Sequence, residues 1–456
     1  MLLPLLVLML SIDATPQHAP ATPPLDDRID ASRITEYDPP SLPEQVVLPM
    51  PPTFVLAASA SDVPIDEARF AMAMDAMRRG TDALAALRVP GSGWSPGATT
   101  APTDTEEVSP VAVAISALAV KALAQADPNA LEREELVEAV RFIRSVRTDD
   151  GAFEGGALTN YVTSTVVMAL ASLDRAEFAR DVQGGVQWLT TAQWDDGEGL
   201  SPRQDWYGGA GYGTRGRPDL SNTQMMIDAL YQARTSPDEP SLERARAFLA
   251  RCQNLKSTNA AEWAGDDGGF VYTPANGGES MASEVAGEGR SGELIPEGAP
   301  RSLRSYGSMT YAGFKSMMYA GLSSNDVRVR AAFDWIRNHW TFDENPGMGQ
   351  QGLYYYYHVM SRALAIGQQH HVTDANGIRH NWREELIDAL VARQRDDGSW
   401  INEADRWMEG EPELATAFAV LALQEALKPA LMLQDQGQDQ EEWRKPMRIP
   451  TPNAVP

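Results

Sequence analysis

Two kinds of helical segment alternate along residues 65–427. The first kind carries one apolar stripe. In 131–147, Leu136, Val140 and Ile143 recur at three-to-four spacing, with Glu134, Glu138, Arg141 and Arg144 on the other sides. That pattern suits a helix with one wet face. The second kind is apolar all round, as in Val111-Ala112-Val113-Ala114-Ile115 and Val166-Val167-Met168-Ala169-Leu170. Such a helix must be buried on every side. A membrane would bury it, but these segments are short, interrupted by Ser, Thr and Lys121, and alternate with amphipathic ones. An inner ring enclosed by an outer ring satisfies both kinds. The pattern therefore predicts an all-α protein, an α/α toroid of six helical hairpins. The outer segments are 65–87, 131–147, 181–193, 242–253, 326–339 and 382–395. The inner ones are 107–125, 159–173, 220–233, 306–321, 353–367 and 412–427. An open helical-repeat solenoid is the alternative; contact between the first and sixth hairpins decides it.

The turns repeat as well. Asp149-Asp150-Gly151, Asp195-Asp196-Gly197, Asp266-Asp267-Gly268 and Asp396-Asp397-Gly398 each follow an outer segment. Glycine supplies the positive φ, aspartate bonds nearby N–H groups, and an aromatic such as Phe153, Phe270 or Trp400 tucks into the core. Adjacent carboxylates lack the alternating oxygens of a calcium loop, so these read as turns. Two inserts break the repeat. Residues 205–213 are rich in glycine and aromatics but do not match a phosphate loop. Residues 273–304 are aperiodic and read as a flexible insert, either a lid or disordered.

The flanks differ in kind. Residues 1–14 are Leu-rich and resemble a signal peptide with a cut after Ala14, although no Lys or Arg precedes the apolar run. Export to the periplasm, envelope or exterior is the expectation. Residues 15–64 are Pro-rich and read as a disordered linker able to hold the domain near an envelope surface. Residues 428–456 read as a disordered acidic, Pro-containing tail. A net charge of −25 offers no basic field for nucleic acid. The single cysteine, Cys252, allows no internal disulfide and no Cys-rich zinc site.

At Pro218-Asp219-Leu220-Ser221-Asn222-Thr223-Gln224 the chain enters an inner helix, with Asp219 and Ser221 as candidate caps. This stretch resembles the Asp-x-Asp-Asp-Thr segment of squalene–hopene cyclases and other class II terpene cyclases. Gln394-Arg395-Asp396-Asp397-Gly398-Ser399-Trp400 is similar to the Gln-Trp repeat of triterpene cyclases. Together they resemble the prenyltransferase / squalene-cyclase repeat superfamily over 65–427, and most of all its secreted bacterial prenyltransferase-like members. The resemblance implies the toroid. For activity it implies less, since one fold hosts many chemistries. In the cyclases the middle Asp of the segment protonates the substrate; the matching residue here is Ser221, and the next Asp is Asn222. Asp219 remains as a weak catalytic candidate. In the zinc prenyltransferases an Asp-x-Cys and a Tyr-His supply metal ligands. Tyr357-His358 matches the second element, but nothing near Tyr306 matches the first. The resemblance thus implies no metal and no cofactor, with His358 a weak candidate only. Thioester chemistry is excluded because Cys252 is followed by Gln253-Asn254.

A ring of inner helices leaves a central hollow. Tyr161, Trp206, Tyr207, Tyr212, Tyr306, Tyr311, Tyr354, Tyr356 and Tyr357 gather near the inner-helix starts, with Ser221, Asn222 and His358. Of the consecutive tyrosines 354–357, one or two should face the hollow, because a helix turns about 100° per residue. An aromatic mouth suits an isoprenoid, a lipid or a peptide ligand; the alternative is that the tyrosines plug the hollow. The expected function is a binding toroid without standard cyclase or zinc prenyltransferase activity. A divergent terpene cyclase with a relocated acid and an envelope structural protein are the alternatives.

Overall fold

The computed structural model describes residues 65–98, 108–127, 129–213, 216–236, 238–288, 302–367 and 370–434. The leader-like segment, the Pro-rich linker and the tail beyond 434 lie outside the described residues. Six outer helices are α1 (Glu67–Leu87), α3 (Glu134–Ser145), α5 (Ala179–Ala192), α7 (Pro240–Cys252), α10 (Val327–Asn338) and α12 (Trp382–Arg393). Six inner helices are α2 (Pro110–Ala126), α4 (Thr159–Ser172), α6 (Leu220–Gln232), α9 (Gly307–Tyr319), α11 (Leu353–Ile366) and α13 (Pro412–Gln434). A short α8 (Met281–Val285) and a hairpin of β1 (Val372–Thr373) with β2 (Arg379–His380) complete the described α-helices and strands.

The helix ends follow from local chemistry. Asp66, Asp219, Asp326 and Asn381 cap α1, α6, α10 and α12 through their side chains, and Pro110 and Pro240 open α2 and α7. Burial separates the two kinds as their sequences require. In α3 only Leu136, Ala139, Val140 and Ile143 are buried, one stripe; in α4 everything is buried except Tyr161 and Ser172.

The inner helices pack in the order α2, α4, α6, α9, α11, α13, and α13 returns to both α2 and α1. The ring is closed, so the solenoid alternative is excluded. Side chains at matching depths touch. Near the helix starts Asn160 meets Asn222; farther down Asp228 meets Lys315 and Arg362, and Gln424 meets the Ala122 carbonyl. The inner helices therefore run parallel. All their starts form one mouth, and all their ends form one floor.

Three repeated contacts fasten the rings. A glutamine ends three outer helices, and its amide bridges its own turn to the next outer helix around the ring. Gln193 donates to Gly208 and Ser241, Gln253 to Gly268 and Arg328, and Gln394 to Gly398 and Ala76. The last of these joins the sixth hairpin to the first. In the second hairpin the same position is Arg147, which pairs with Asp181 on α5 at 3.0 Å. Four positive-φ glycines press against the same neighbours: Gly151 on Gly184, Gly208 on Arg244, Gly268 on Ala331 and Gly398 on Arg79. A hydroxyl early in five inner helices (Ser116, Thr163, Thr223, Thr310, Thr416) accepts the N–H of the turn residue Trp94, Phe153, Ala210, Phe270 or Trp400. In α11 no such hydroxyl occurs. There Tyr356 and Tyr357 donate to the Thr341 and Phe342 carbonyls instead.

Two expectations need correction. Asp195-Asp196-Gly197 is not the turn copy of its hairpin: it forms a separate capped 3₁₀ turn, and Gly208 does what Gly151, Gly268 and Gly398 do elsewhere. The chain between 197 and 207 is inserted inside the turn, which moves the functional glycine away from the Asp-Asp pair. The expectation of a flexible 273–304 insert fails for 273–288. There Thr273, Ala275, Glu279, Ser280, Met281 and Ala282 are buried. Glu279 pairs with Arg217 at 2.5 Å, and the Thr273 hydroxyl donates to the Pro218 carbonyl. Charge pairing and backbone bonding, which leave no period in sequence, hold this segment against the entry to α6. Residues 289–301 lie outside the described residues.

Candidate functional site: the mouth and floor of the inner ring

Asp219 is the N-cap of α6. Its carboxylate accepts from the Asn222 N–H at 2.8 Å and from the Asn222 amide at 2.9 Å. Burial pushes its pKa up to about 6, against the lowering effect of those bonds and of Arg217. It also perturbs Tyr272, Tyr212 and the Cys252 thiol of outer helix α7, which places it in the wall of the ring rather than on its axis. Two residues on, Ser221 is the only residue of α6 before Tyr231 that is not buried, and its hydroxyl lies beside the Tyr355 phenol.

Tyr161, Ser221 and Tyr355 each keep accessible surface although their helix neighbours are buried. Burial raises the phenols of Tyr161 (to about 12), Tyr212, Tyr272, Tyr306 and Tyr355, and these groups act on one another across the ring. Tyr355 lies beside both Tyr161 and Ser221, so these part-exposed groups stand together at the starts of α4, α6 and α11. Tyr355 accepts from Gln224 of α6 at 3.0 Å and meets Phe418 of α13 edge-on at 5.8 Å.

Several expected cavity residues lie elsewhere. On α11 the inward residue is Tyr355, which was not among the expected set. Tyr354, Tyr356 and Tyr357 are buried between the rings, the last two tied to the 341–342 carbonyls. Tyr311 packs edge-on against Tyr356 at 5.6 Å, also between the rings. Trp206 meets Trp194 edge-on at 4.9 Å and donates to Asn276 of the 273–288 segment, and Tyr207 lies against Asp196, both away from the inner-helix starts. Tyr161, Tyr212, Tyr306, Ser221 and Asn222 do converge near the mouth. Tyr272 and Gln224 join them.

His358 follows Tyr355 on the inward face of α11 and stacks on Phe418 at 5.5 Å. Burial, reinforced by Arg362, Lys121 and Lys315, holds its pKa well below the ordinary imidazole value, so the ring is neutral. Among the described residues no three His, Cys, Asp or Glu side chains converge to hold a metal ion.

One further turn down lies a charged floor. Asp228 of α6 accepts from Lys315 of α9 at 2.6 Å and from Arg362 of α11 at 3.0 Å, and Arg362 also approaches the Met168 sulfur of α4. Lys121 of α2 and Glu425 of α13, the latter paired with Lys428, complete it. Tyr231 and Tyr319 stack at 3.7 Å beneath. The visible sign in sequence is that Lys121, Asp228, Lys315 and Arg362 interrupt otherwise apolar inner helices. A charge there cannot reach water outside, so it must face the hollow.

Concentric rings of paired helices with a single mouth and floor define an α/α toroid. Residues 66–271 match the squalene-hopene cyclase C-terminal domain. That stretch is therefore similar to the squalene-hopene cyclase domain, and the described helices as a whole form an α/α toroid. Among solved structures it is similar to the type II terpene cyclase MstE from Scytonema, in complex with geranylgeranyl dihydroxybenzoate, with 13% identity over 80% of this chain and 99% of that one at a TM-score of 0.46. It is similar to a D-mannose isomerase (13%, 81% and 99%, 0.48) and to a family 76 glycoside hydrolase from a bovine Bacteroides thetaiotaomicron strain (10%, 77% and 78%, 0.48). No curated protein sequence matches the chain.

Proposed function

We propose that this toroid binds an apolar or amphipathic small molecule, of isoprenoid or lipid type, in its hollow, and that it does not start a cyclisation by protonation. The observation that carries this reading is the residue at the mouth. Ser221 is part-exposed at the start of α6; by the resemblance of this helix entry to the cyclases' Asp-x-Asp-Asp-Thr segment it stands where their acid would, and a serine hydroxyl is far too weak an acid to protonate an alkene. The remaining carboxylate at the entry, Asp219, is engaged by Asn222 as a helix cap. Asp228 is held by two cations. The tyrosine-lined wall supplies the amphipathic aromatic surface that suits an unsaturated chain.

Titration calorimetry with farnesol tests the binding. One site is expected, and Ser221→Trp, which fills the mouth, should weaken binding at least about tenfold, since a displaced apolar chain forfeits well over 1.4 kcal/mol. Undiminished binding to Ser221→Trp would place the ligand elsewhere. A specific observation favours a second reading: a buried carboxyl near pH 6 is a proton carrier, so Asp219 as a relocated acid is the alternative. It predicts cyclic products from polyprenyl substrates that disappear in Asp219→Asn.

A further inference from the structure

The floor holds more basic side chains than acids. Asp228 receives both Lys315 and Arg362 on one oxygen, Oδ2, and its Oδ1 is buried with no hydrogen-bond partner. Glu425 is engaged by Lys428 at 2.5 Å. That leaves Lys121, which is 3% exposed, with no hydrogen bond or ion pair among the described residues. Burial, reinforced by Arg362, holds its pKa well below the ordinary lysine value, and the other charges that act on it, Asp228, Glu425 and Lys428, stand on α6 and α13, so the side chain points inward and gains its full charge when an anion joins it. Above the same layer the Nδ1 of His358 is also buried without a partner. Helix C-termini favour cations, but that field fades within the last turn. Lys121, Lys315 and Arg362 all stand before the last turn of helices that end at Ala126, Tyr319 and Ile366. A buried cation without a partner is costly unless a counter-charge joins it.

We propose that the floor of the hollow seats an anionic group, a carboxylate or a phosphate, at one end of an elongated apolar ligand, with Lys121 as its principal partner and Arg362 and Lys315 beside it. This rests on the reading that the hollow admits such a ligand. The ligand enters past Tyr161, Ser221 and Tyr355 with its acidic end leading. Its apolar body then lies along the tyrosines, and its acid meets Lys121 at the far end of α2. Asp228 remains with Arg362 and Lys315, and orients them. Recognition at two ends fixes both the charge and the length of the ligand, which a wall of tyrosines alone does not.

The test compares farnesol, farnesoic acid and farnesyl phosphate on the full chain by titration calorimetry. Wild type should bind at least one of the two anions about tenfold or more tighter than farnesol, the scale of a desolvated charge-assisted hydrogen bond; the tighter of the two identifies the headgroup. Lys121→Met should abolish that preference, and its farnesol binding, read alongside, reports whether the hollow is intact. Lys121→Arg should keep it. If farnesol binds and the anions bind no tighter, or if Lys121→Met keeps the preference, the anion seat is overturned while the binding hollow stands. If none of the three binds, both readings fall.

Discussion

Asp219 and Ser221 are two residues apart and do opposite things. Asp219 closes the helix start and is shielded; Ser221 looks into the hollow. The shielding has a measurable consequence. Burial raises Asp219 from an ordinary 3.8 to about 6. Between these values the folded protein holds a proton that the unfolded chain has released. Stability from this group is therefore largest below pH 3.8, falls as pH rises through that window, and stays lower above pH 6. Asp219→Asn keeps a capping oxygen and removes the titration. Relative to wild type it should gain stability from pH 4 to pH 7, by up to roughly 3 kcal/mol; urea midpoints at the two pH values check this. An equal difference at both would show that the carboxyl does not titrate there. At this scale the sequence was only partly legible. The aromatic mouth was evident from Tyr161, Tyr212 and Tyr306. Which of four consecutive tyrosines faces inward was not, because 100° of helix rotation separates neighbours and nothing local sets the phase. The phase is set by Tyr356 and Tyr357 reaching the 341–342 carbonyls, a contact with the preceding loop.

Among the elements, outer helices communicate with their neighbours through backbone as much as through apolar packing. Gly268 and Gly377 separate the two costs of replacing a positive-φ glycine. Both have φ near +84° (84° and 83°), but a Cβ on Gly268 would lie 2.4 Å from the Ala331 carbonyl oxygen, whereas nothing lies within 4 Å of one on Gly377. Gly377→Ala should cost about 1 kcal/mol, the left-handed conformation alone. Gly268→Ala should cost at least about 2 kcal/mol more, because backbone must shift. Thermal unfolding of the two variants makes the comparison, and equal losses would mean that the neighbouring helix yields freely. The helix order and kinds were readable because burial on one side and burial on all sides demand different compositions. The turn after α5 was misread because an insert separates the Asp-Asp pair from the glycine that makes the contact. The 273–288 segment was misread because it is held by Glu279, Thr273 and Ser280 rather than by an apolar period.

For the whole molecule, closure is what turns six hairpins into a container. Gln394 makes two hydrogen bonds, one to its own turn and one to Ala76 on the first helix, both at 2.9 Å. Gln253 makes the same pair within the ring, to Gly268 and Arg328. Each replaced by Ala should lose about 1–3 kcal/mol, because buried carbonyls are left without a donor. Hydrogen exchange should then rise in α1 only for Gln394→Ala, since among the described residues α1 is followed but not preceded by another helix. The container's interior has two zones, phenols at the mouth and charges at the floor. The central claim is that this interior holds a ligand without cyclising it. The most direct measurement incubates the full chain with squalene and with geranylgeraniol, then reads occupancy by native mass spectrometry and products by gas chromatography of the same sample. The account predicts one molecule bound per chain, recovered unchanged. A cyclic product, or an empty protein with every such compound, would contradict it.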